Sequence, residues 1–322
     1  MSIGRDEAIL ELLRETNGFV STQDLSQRLG VPPTLVPDEI EALRQQGYGI
    51  LLRPESGYRL TMVPDRLLPF ELRYRLETSI IGRRIVVYEQ TTSTMDVAHQ
   101  LAQAGEPQGT CVLAESQTGG RGRLGRRWSS PVGDGIYLSL ILRPPLSSCA
   151  APQVTLLAAV SVALSIRAIT EIPVQVKWPN DIVVQGKKVC GILTEMRLDD
   201  TQGRYLVVGI GVNVNTSRDR LLDGATSLRV ECGEIVSRID LCRRLLQQFD
   251  EQYAVLIDRS FRPIAELWET FSSISGGHVR VDLQDRVLEG QAVGIDQDGA
   301  LLVRCDHGVV ERVVAGDVVR VR

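Results

Sequence analysis

The chain has 322 residues, of which 43% are hydrophobic and 24% charged, and a formal net charge of -4. That length predicts two or three domains with at least one sizeable core, and that charge excludes a global attraction to nucleic acid or membrane, so any anion site is local. The six cysteines (111, 149, 190, 232, 242 and 305) form no C-x-x-C pair and no metal-like cluster with the three histidines, which predicts reduced, mostly buried thiols, no protein-held metal and a cytoplasmic protein.

In chain order, residues 1–63 read as a winged helix-turn-helix. Ile9, Leu12 and Leu13 have helical spacing, and Asn17-Gly18 stops that helix. Ser21 and Asp24 stand in capping-box register, and Gly30 ends a second, short helix. A turn at Val31-Pro32-Pro33 leads to a third helix that ends at Gly47 and holds Pro37 in its first turn. Residues 48–53 and 58–62 pair as a wing-like hairpin around Pro54-Glu-Ser-Gly57. In such a domain, Ser21 to Gln46 holds the candidate DNA contacts, and the third helix enters the groove. Its polar positions are Asp38, Glu39 and Glu41 against one base, Arg44, whereas phosphates and base edges call for cations and donors. A winged helix kept for packing or regulation is therefore the alternative.

Residues 64–79 read as a linker with a short helix, and residues 80–274 as a mixed α/β domain. Strands are expected at 85–89, 110–115, 136–143, 174–178, 182–184, 189–197 and 205–213. Helices are expected at 93–104, with Ser93 and Asp96 in capping-box register, and at 240–256 and 263–272. The uncharged run at 150–166 is shorter than the ~20 residues of a membrane span and reads as a buried core helix, so no membrane partner is expected. The start, MSIGRDEAIL, has no apolar signal core. Residues 275–322 change texture to short alternating strands with turns at Asp298-Gly299 and His307-Gly308, as in an SH3-like β-barrel. The fold class is α+β in three domains.

Between two of the predicted strands lies GGRGRLGRRWSS, residues 119–130, which contains a literal G-x-G-x-x-G at 120–125. A dinucleotide fingerprint opens a helix and has an acidic residue about 20 positions on. Here a strand follows, and residues 138–145 contain no acid. Glycines let a backbone approach a ligand closely, and arginines offer permanently charged forks for carboxylate and phosphate. A strand–loop–strand with Arg121, Arg123, Arg126 and Arg127 is suited to clamping a multiply charged anion, and its like charges favour an open loop when empty. A basic surface loop for nucleic acid is the alternative, with Trp128 as its one aromatic. A second polar cluster is Lys177-Trp-Pro-Asn-Asp181, where a lysine at a strand end points out of the sheet edge.

Three segments then coincide: Thr91-Thr-Ser93-Thr94, Glu115-Ser-Gln117 through Trp128, and Lys177 through Asp181 followed by Gly191-Ile-Leu-Thr-Glu195. With Gly209-Ile-Gly211-Val-Asn213, their order resembles the bacterial biotin protein ligases, in particular the bifunctional type that is also the biotin-operon repressor. The resemblance covers essentially the whole chain. It implies a ligase core similar to class II aminoacyl-tRNA synthetases, biotin and ATP as substrates with Mg²⁺, and a biotin carboxyl carrier domain as acceptor. It also implies operator DNA as a partner and homodimers formed through the central sheet. Biotin's carboxylate would attack the α-phosphate of ATP to give biotinyl-5'-AMP, and the acyl group would pass to one carrier lysine.

Carried over by position, Ser93, Thr94, Met95 and Gln117 would surround biotin, with Arg121, Gly122, Gly209 and Gly211 close to it. Lys177 would bridge the carboxylate and α-phosphate, and Arg123 would retain the adenylate. Gly120, Arg121, Arg126, Trp128, Asn180 and Asn213 would take the nucleotide. Met95 stands where many relatives have Asn, Leu124 where some have Arg, and the groove helix is acidic where the repressor type is basic. A ligase with a vestigial winged helix, or a lipoate-type acyl ligase, remains the alternative.

Overall fold

The computed structural model describes residues 4–145, 151–199, 203–283 and 286–320; Cys149 and Ala150 lie outside the described residues. The chain divides into two units, Met1–Arg66 and Leu67–Arg322.

In the first unit, helices α1 (Arg5–Glu15), α2 (Thr22–Leu29) and α3 (Val36–Gln45) precede strands β1 (Gly49–Arg53) and β2 (Gly57–Met62). Ile9, Leu13, Leu25, Ile40 and Leu43 are buried where the helices meet. Ser21 caps α2 through the Asp24 amide at 3.0 Å while its hydroxyl donates to the Asp24 carboxylate at 2.6 Å. Gly30 ends α2 in the left-handed region, which an L side chain adopts only at a cost. Val20 and Tyr58 exchange two backbone hydrogen bonds of 2.8 Å, which fastens the wing to the start of α2. Gly57 is obligatory there, because a Cβ would come within 1.9 Å of the Val20 carbonyl oxygen.

The second unit is built on a seven-stranded sheet. Its strands are β3 (Arg84–Thr91), β4 (Thr110–Gln117), β5 (Gly135–Leu142), β6 (Gln175–Lys177), β7 (Asp181–Val184), β8 (Lys187–Asp199) and β9 (Gly203–Asn213), and its short helices are α4 (Pro69–Arg73) and α7 (Leu228–Cys232). The strands lie in the order β3-β4-β5-β9-β8-β7-β6; β3 and β4 are parallel and all other pairs antiparallel. Alternation along β9 separates two faces. Leu206, Val208, Ile210 and Val212 join the main core, which is covered by α6 (Ala151–Thr170), α8 (Arg238–Asp258) and α9 (Arg262–Phe271). Tyr205 and Val207 face α5 (Thr94–Gln103) in a second cluster with Met95, Ala98 and Ala102.

Helix α6 is long and apolar enough to cross a bilayer by length and composition, yet it is packed against α8 and α9, and its Leu157, Val160 and Ala163 are fully buried. Its buried Ser161 and Ser165 hydroxyls donate back to the carbonyls of Leu157 and Ser161, so the helix interior holds no orphan hydroxyl at these positions.

Residues 64–79 do not hang free. Leu67 and Leu72 are fully buried in the main core, and the Asp250 carboxylate accepts the amides of Ser79, Ile80 and Ile81. The C-terminal segment forms a five-stranded antiparallel sheet ordered β13-β12-β11-β10-β14, from β10 (His278–Asp282), β11 (Val287–Ile295), β12 (Leu301–Arg304), β13 (Val310–Val313) and β14 (Asp317–Arg320). The last two strands, β13 and β14, pair at opposite edges of this sheet. The sheet packs on the core: Val279, Leu301 and Val303 belong to the main cluster, and the buried Trp178 indole donates to the Gly299 carbonyl at 3.2 Å.

Candidate active site

A cavity of about 360 Å³ opens on the α5 face of the large sheet, over the end of β9. The sequence makes room for it by placing Gly209 and Gly211 of β9, and Gly191 of β8, where the face would otherwise carry side chains. Two side chains occupy that room. A Cβ at 209 would stand 2.4 Å from the Met95 sulfur, and one at 211 would stand 2.5 Å from the Trp128 indole. The glycines expected to admit a ligand thus also seat Met95 and Trp128.

The inner end is neutral and polar. Thr94 donates its amide to the Gln117 side-chain oxygen at 2.8 Å, and its hydroxyl lies 2.8 Å from that of Ser139. The Gln117 amide nitrogen donates to Ser130 at 2.9 Å. Ser93, at the first position before α5, is 1% exposed and its hydroxyl has no hydrogen-bond partner among the described residues. The expected capping bond to α5 is not made, because Ser93 caps the helix by backbone conformation alone. A buried hydroxyl without a partner costs roughly 1–3 kcal/mol, which a polar ligand would recover.

The outer end is cationic. The arginine–glycine segment is a hydrogen-bonded turn: Trp128 N–H donates to Gly120 O at 2.9 Å and Gly122 N–H to Arg126 O at 2.7 Å. Leu124 and Gly125 turn it in the left-handed region, with Leu124 70% exposed. Each arginine is held: Arg121 by Asp96 at 2.5 Å, Arg123 by the Asn180 side chain at 2.9 Å, Arg126 by Asp317 at 2.7 Å, and Arg127 by the Thr118 carbonyl at 3.1 Å. Asn180 is fixed in turn, donating to the Ile192 carbonyl at 2.8 Å. Behind Arg121, Glu195 lies 2.8 Å from the buried His99 ring. Burial holds that imidazole below its ordinary value against the upward pull of Glu195.

Most expected site residues line the cavity: Ser93, Thr94, Met95, Gln117, Arg121, Gly122, Arg123, Arg126, Trp128, Asn180, Gly209, Gly211 and Asn213. Gly120 and Lys177 do not. Gly120 packs against Trp128, Ser130 and Gln117 at the base of the loop, where a Cβ would meet all three within 3.0 Å.

Lys177 ends β6, the edge strand, three places from β9 in the sheet, and shares the cavity's face in the cross-strand row Lys177–Asp181–Gly191–Gly211. The lysine at the cavity is Lys188, on β8 next to β9. Its ammonium is 2.6 Å from the Asp181 carboxylate and 5.5 Å from the centre of a Trp128 ring. A β-bulge explains the placement. Ile182 pairs with Cys190 and Val183 with Lys188, so Val189 is the extra residue. Without it, Lys188 would share the buried face of Cys190 and Ile192; with it, Lys188 turns to the face of Gly191, where a Cβ would lie 3.0 Å from its Cε. Lys188 falls between the strands expected at 182–184 and 189–197 and carried no signal in the sequence beyond its charge.

Other cavity residues also escaped the sequence. Arg220, paired with Asp134 at 2.8 Å, and Leu222 come from the segment after β9, and Asp317 from β14. The described residues hold no group of three His, Cys, Asp or Glu side chains able to bind a metal.

Residues 87–215 match the Biotin/lipoate A/B protein ligase family, residues 274–321 the Biotin protein ligase C terminal domain, and residues 5–59 the HTH domain family. The chain is 38% identical to the bifunctional ligase/repressor BirA of Bacillus subtilis over 96% of this chain and 97% of that one. It is 28% identical to the protein of the same description from Escherichia coli, over 93% and 92% of the two chains. Among solved structures it is similar to a biotin protein ligase from Aquifex aeolicus in complex with biotin and ATP. That similarity has a TM-score of 0.65 and 30% identity, covering 74% of this chain and 100% of that one.

Proposed function

We infer that this chain, which belongs to the biotin protein ligase family, activates biotin at the cavity over β9 and passes it to a carrier lysine from the same place. One observation supports this reading most: a single cavity joins a neutral polar end at Ser93, Thr94 and Gln117 to a cationic end at Arg121, Arg123, Arg126 and Lys188. Biotin has the same two characters, a neutral ureido bicycle and an anionic tail that must meet a triphosphate.

Thr94 and Gln117 already bind one another, so they are ordered before any ligand arrives, and Ser93 supplies the open hydroxyl for the ureido group. Met95 packs on the bicycle from the α5 side. Lys188 lines the cavity and is proposed to lie between the carboxylate and the α-phosphate, where its charge would offset the repulsion between them. In the first step the carboxylate oxygen bonds to the α-phosphorus and pyrophosphate leaves. In the second, the acceptor amine bonds to the acyl carbon and AMP leaves. Mg²⁺ would enter as the ATP complex, held by phosphate oxygens and water. Asn213 and Arg220 would take the nucleoside side.

Ser93→Ala is expected to raise the biotin Kd by roughly 5- to 150-fold, the equivalent of ~1–3 kcal/mol for a lost buried hydrogen bond. Calorimetric titration with biotin checks it, and an unchanged Kd removes Ser93 from the site. Arg123, tied to Asn180 over the cavity mouth, is proposed to retain the adenylate. Arg123→Ala should keep adenylate formation largely intact while biotin appears on unrelated proteins in a mixture; unchanged selectivity would contradict that role.

A second activity is proposed on the match of residues 5–59 to the HTH domain family: binding of operator DNA by the first unit, as a biotin-linked repressor. A gel shift with the chain's own operator, biotin and ATP tests it, and the absence of any sequence-specific shift would sink it.

A further inference from the structure

Residues 1–66 contain seven arginines, no lysine and ten acidic residues, so the first unit has few cations to offer a polyanion. Most of them are already engaged. Arg5 pairs with Glu39 at 3.0 Å and Arg28 with Glu11 at 3.3 Å. Arg44, the one base of α3, donates to the Ile50 carbonyl at 3.1 and 2.8 Å. Arg66 donates to the Gln46 carbonyl at 3.4 Å, and Arg14 also has partners. The exposed side chains of α3 are Pro37, Asp38, Glu41, Ala42 and Gln45, and they include no cation.

Arg53 and Arg59 are different. Both are exposed, and among the described residues neither has a carboxylate or carbonyl partner. Arg53 ends β1, and Arg59 of β2 faces Leu51, two residues before it, so both side chains leave the wing on one face. Their guanidinium carbons lie 4.6 and 5.0 Å from the centre of one ring, that of Phe19. Phe19 is set there by the bridge between its neighbour Val20 and Tyr58. A phenyl ring attracts a guanidinium without using up its N–H donors as a carboxylate would. The pair is therefore held side by side with its donors free, the arrangement that two adjacent backbone phosphates require.

We propose that the first unit grips duplex DNA through its wing, with Arg53 and Arg59 on the sugar–phosphate backbone and Phe19 as their support, while α3 supplies no phosphate contact. This rests on the reading of the unit as a DNA-binding domain. The role is electrostatic and independent of base sequence, so it is measurable on any duplex.

The test measures the affinity of the full chain for a 40-base-pair duplex of unrelated sequence as salt is varied. The slope of log K against log salt is about -0.9 per phosphate neutralised, so Arg53→Ala/Arg59→Ala should make it shallower by about 1.8. Affinity would then fall about 12-fold less between 50 and 200 mM salt. Arg53→Lys/Arg59→Lys keeps both charges and should keep the wild-type slope, which separates lost charge from a damaged fold. Asp38→Asn/Glu41→Gln should leave the slope unchanged. A wild-type slope in the double alanine variant overturns the proposal while leaving the DNA-binding reading standing, and so does a double lysine variant that loses the slope equally. Failure of the unaltered chain to bind any duplex at low salt sinks both.

Discussion

Lys188→Ala is expected to reduce biotin- and ATP-dependent pyrophosphate release by about 10²–10³-fold, the usual loss when one electrostatic contact to developing charge is removed. Lys188 is the lysine of the cavity, placed by the Val189 bulge and oriented by Asp181 at 2.6 Å. A carboxylate that attacks the anionic α-phosphate of ATP approaches charge with charge, and the chain must place a cation between them before reaction. The arginines of the loop are each tied to Asp96, Asn180, Asp317 or a carbonyl, and Lys188, tied to Asp181, reaches in from the sheet itself. Lys177→Ala serves as the contrast. Lys177 shares the cavity's face through its pairing with Asp181 but stands outside its lining at the end of the edge strand, so Lys177→Ala is expected to lose less activity than Lys188→Ala. Measured together, the two variants decide which lysine serves the reaction. Near-normal release in Lys188→Ala, or abolition in Lys177→Ala, would reverse the assignment.

Arg238→Ala is expected to destabilise the second unit by roughly 3–5 kcal/mol, the cost of stranding one member of a buried ion pair. The Arg238 and Glu115 side chains are 2% and 5% exposed and 2.7 Å apart. Glu115 also accepts the Leu67 amide at 2.7 Å, and Arg238 donates to the Gly135 carbonyl at 3.3 Å. One pair thus fastens the entry segment, β4, the start of β5 and the start of α8. Without the guanidinium, Glu115 must either remain charged without its partner or take up a proton. The double variant Glu115→Leu/Arg238→Met should lose less than the single one, because no buried charge remains. Urea unfolding followed on the tryptophan fluorescence of the second unit measures both. A loss under 1 kcal/mol in Arg238→Ala, or a double variant worse than the single, would contradict the account.

Much of this architecture was legible in the chain. The spacing of Ile9 and Leu13, the Ser21 cap and the turn at Gly57 marked the winged helix, because local capping and turn chemistry decide such small elements. The loop of arginines and glycines could be separated from a dinucleotide fingerprint by the strand that follows it, and the structure forms that strand as β5. The face of the cavity was harder. The alternation of Gly209 and Gly211 marked a bare stretch of β9, but nothing local said that Trp128 and Met95 would lie on it.

Lys188 was hidden for a definite reason. Strand alternation predicts which face a residue takes only while the register is unbroken, and a bulge at Val189 reverses the parity just where the lysine stands. The KWPND segment drew attention to Lys177, which pairs with Asp181 on the cavity's face, while its Asn180 and Asp181 line the cavity, one holding Arg123 and the other Lys188. Asp317 was out of reach for another reason, since it meets Arg126 from 191 residues away. Ser93 reads in the sequence both as a helix cap and as a contact to biotin; it makes no side-chain capping bond and lines the cavity.

The most direct test mixes the purified chain with MgATP, biotin and a biotin carboxyl carrier domain, then detects biotin on the carrier with streptavidin and locates it by mass spectrometry. The account predicts one biotinyl group on one carrier lysine, dependent on ATP, and lost with Lys188→Ala. An unmodified carrier, or acylation by lipoate in place of biotin, would contradict it.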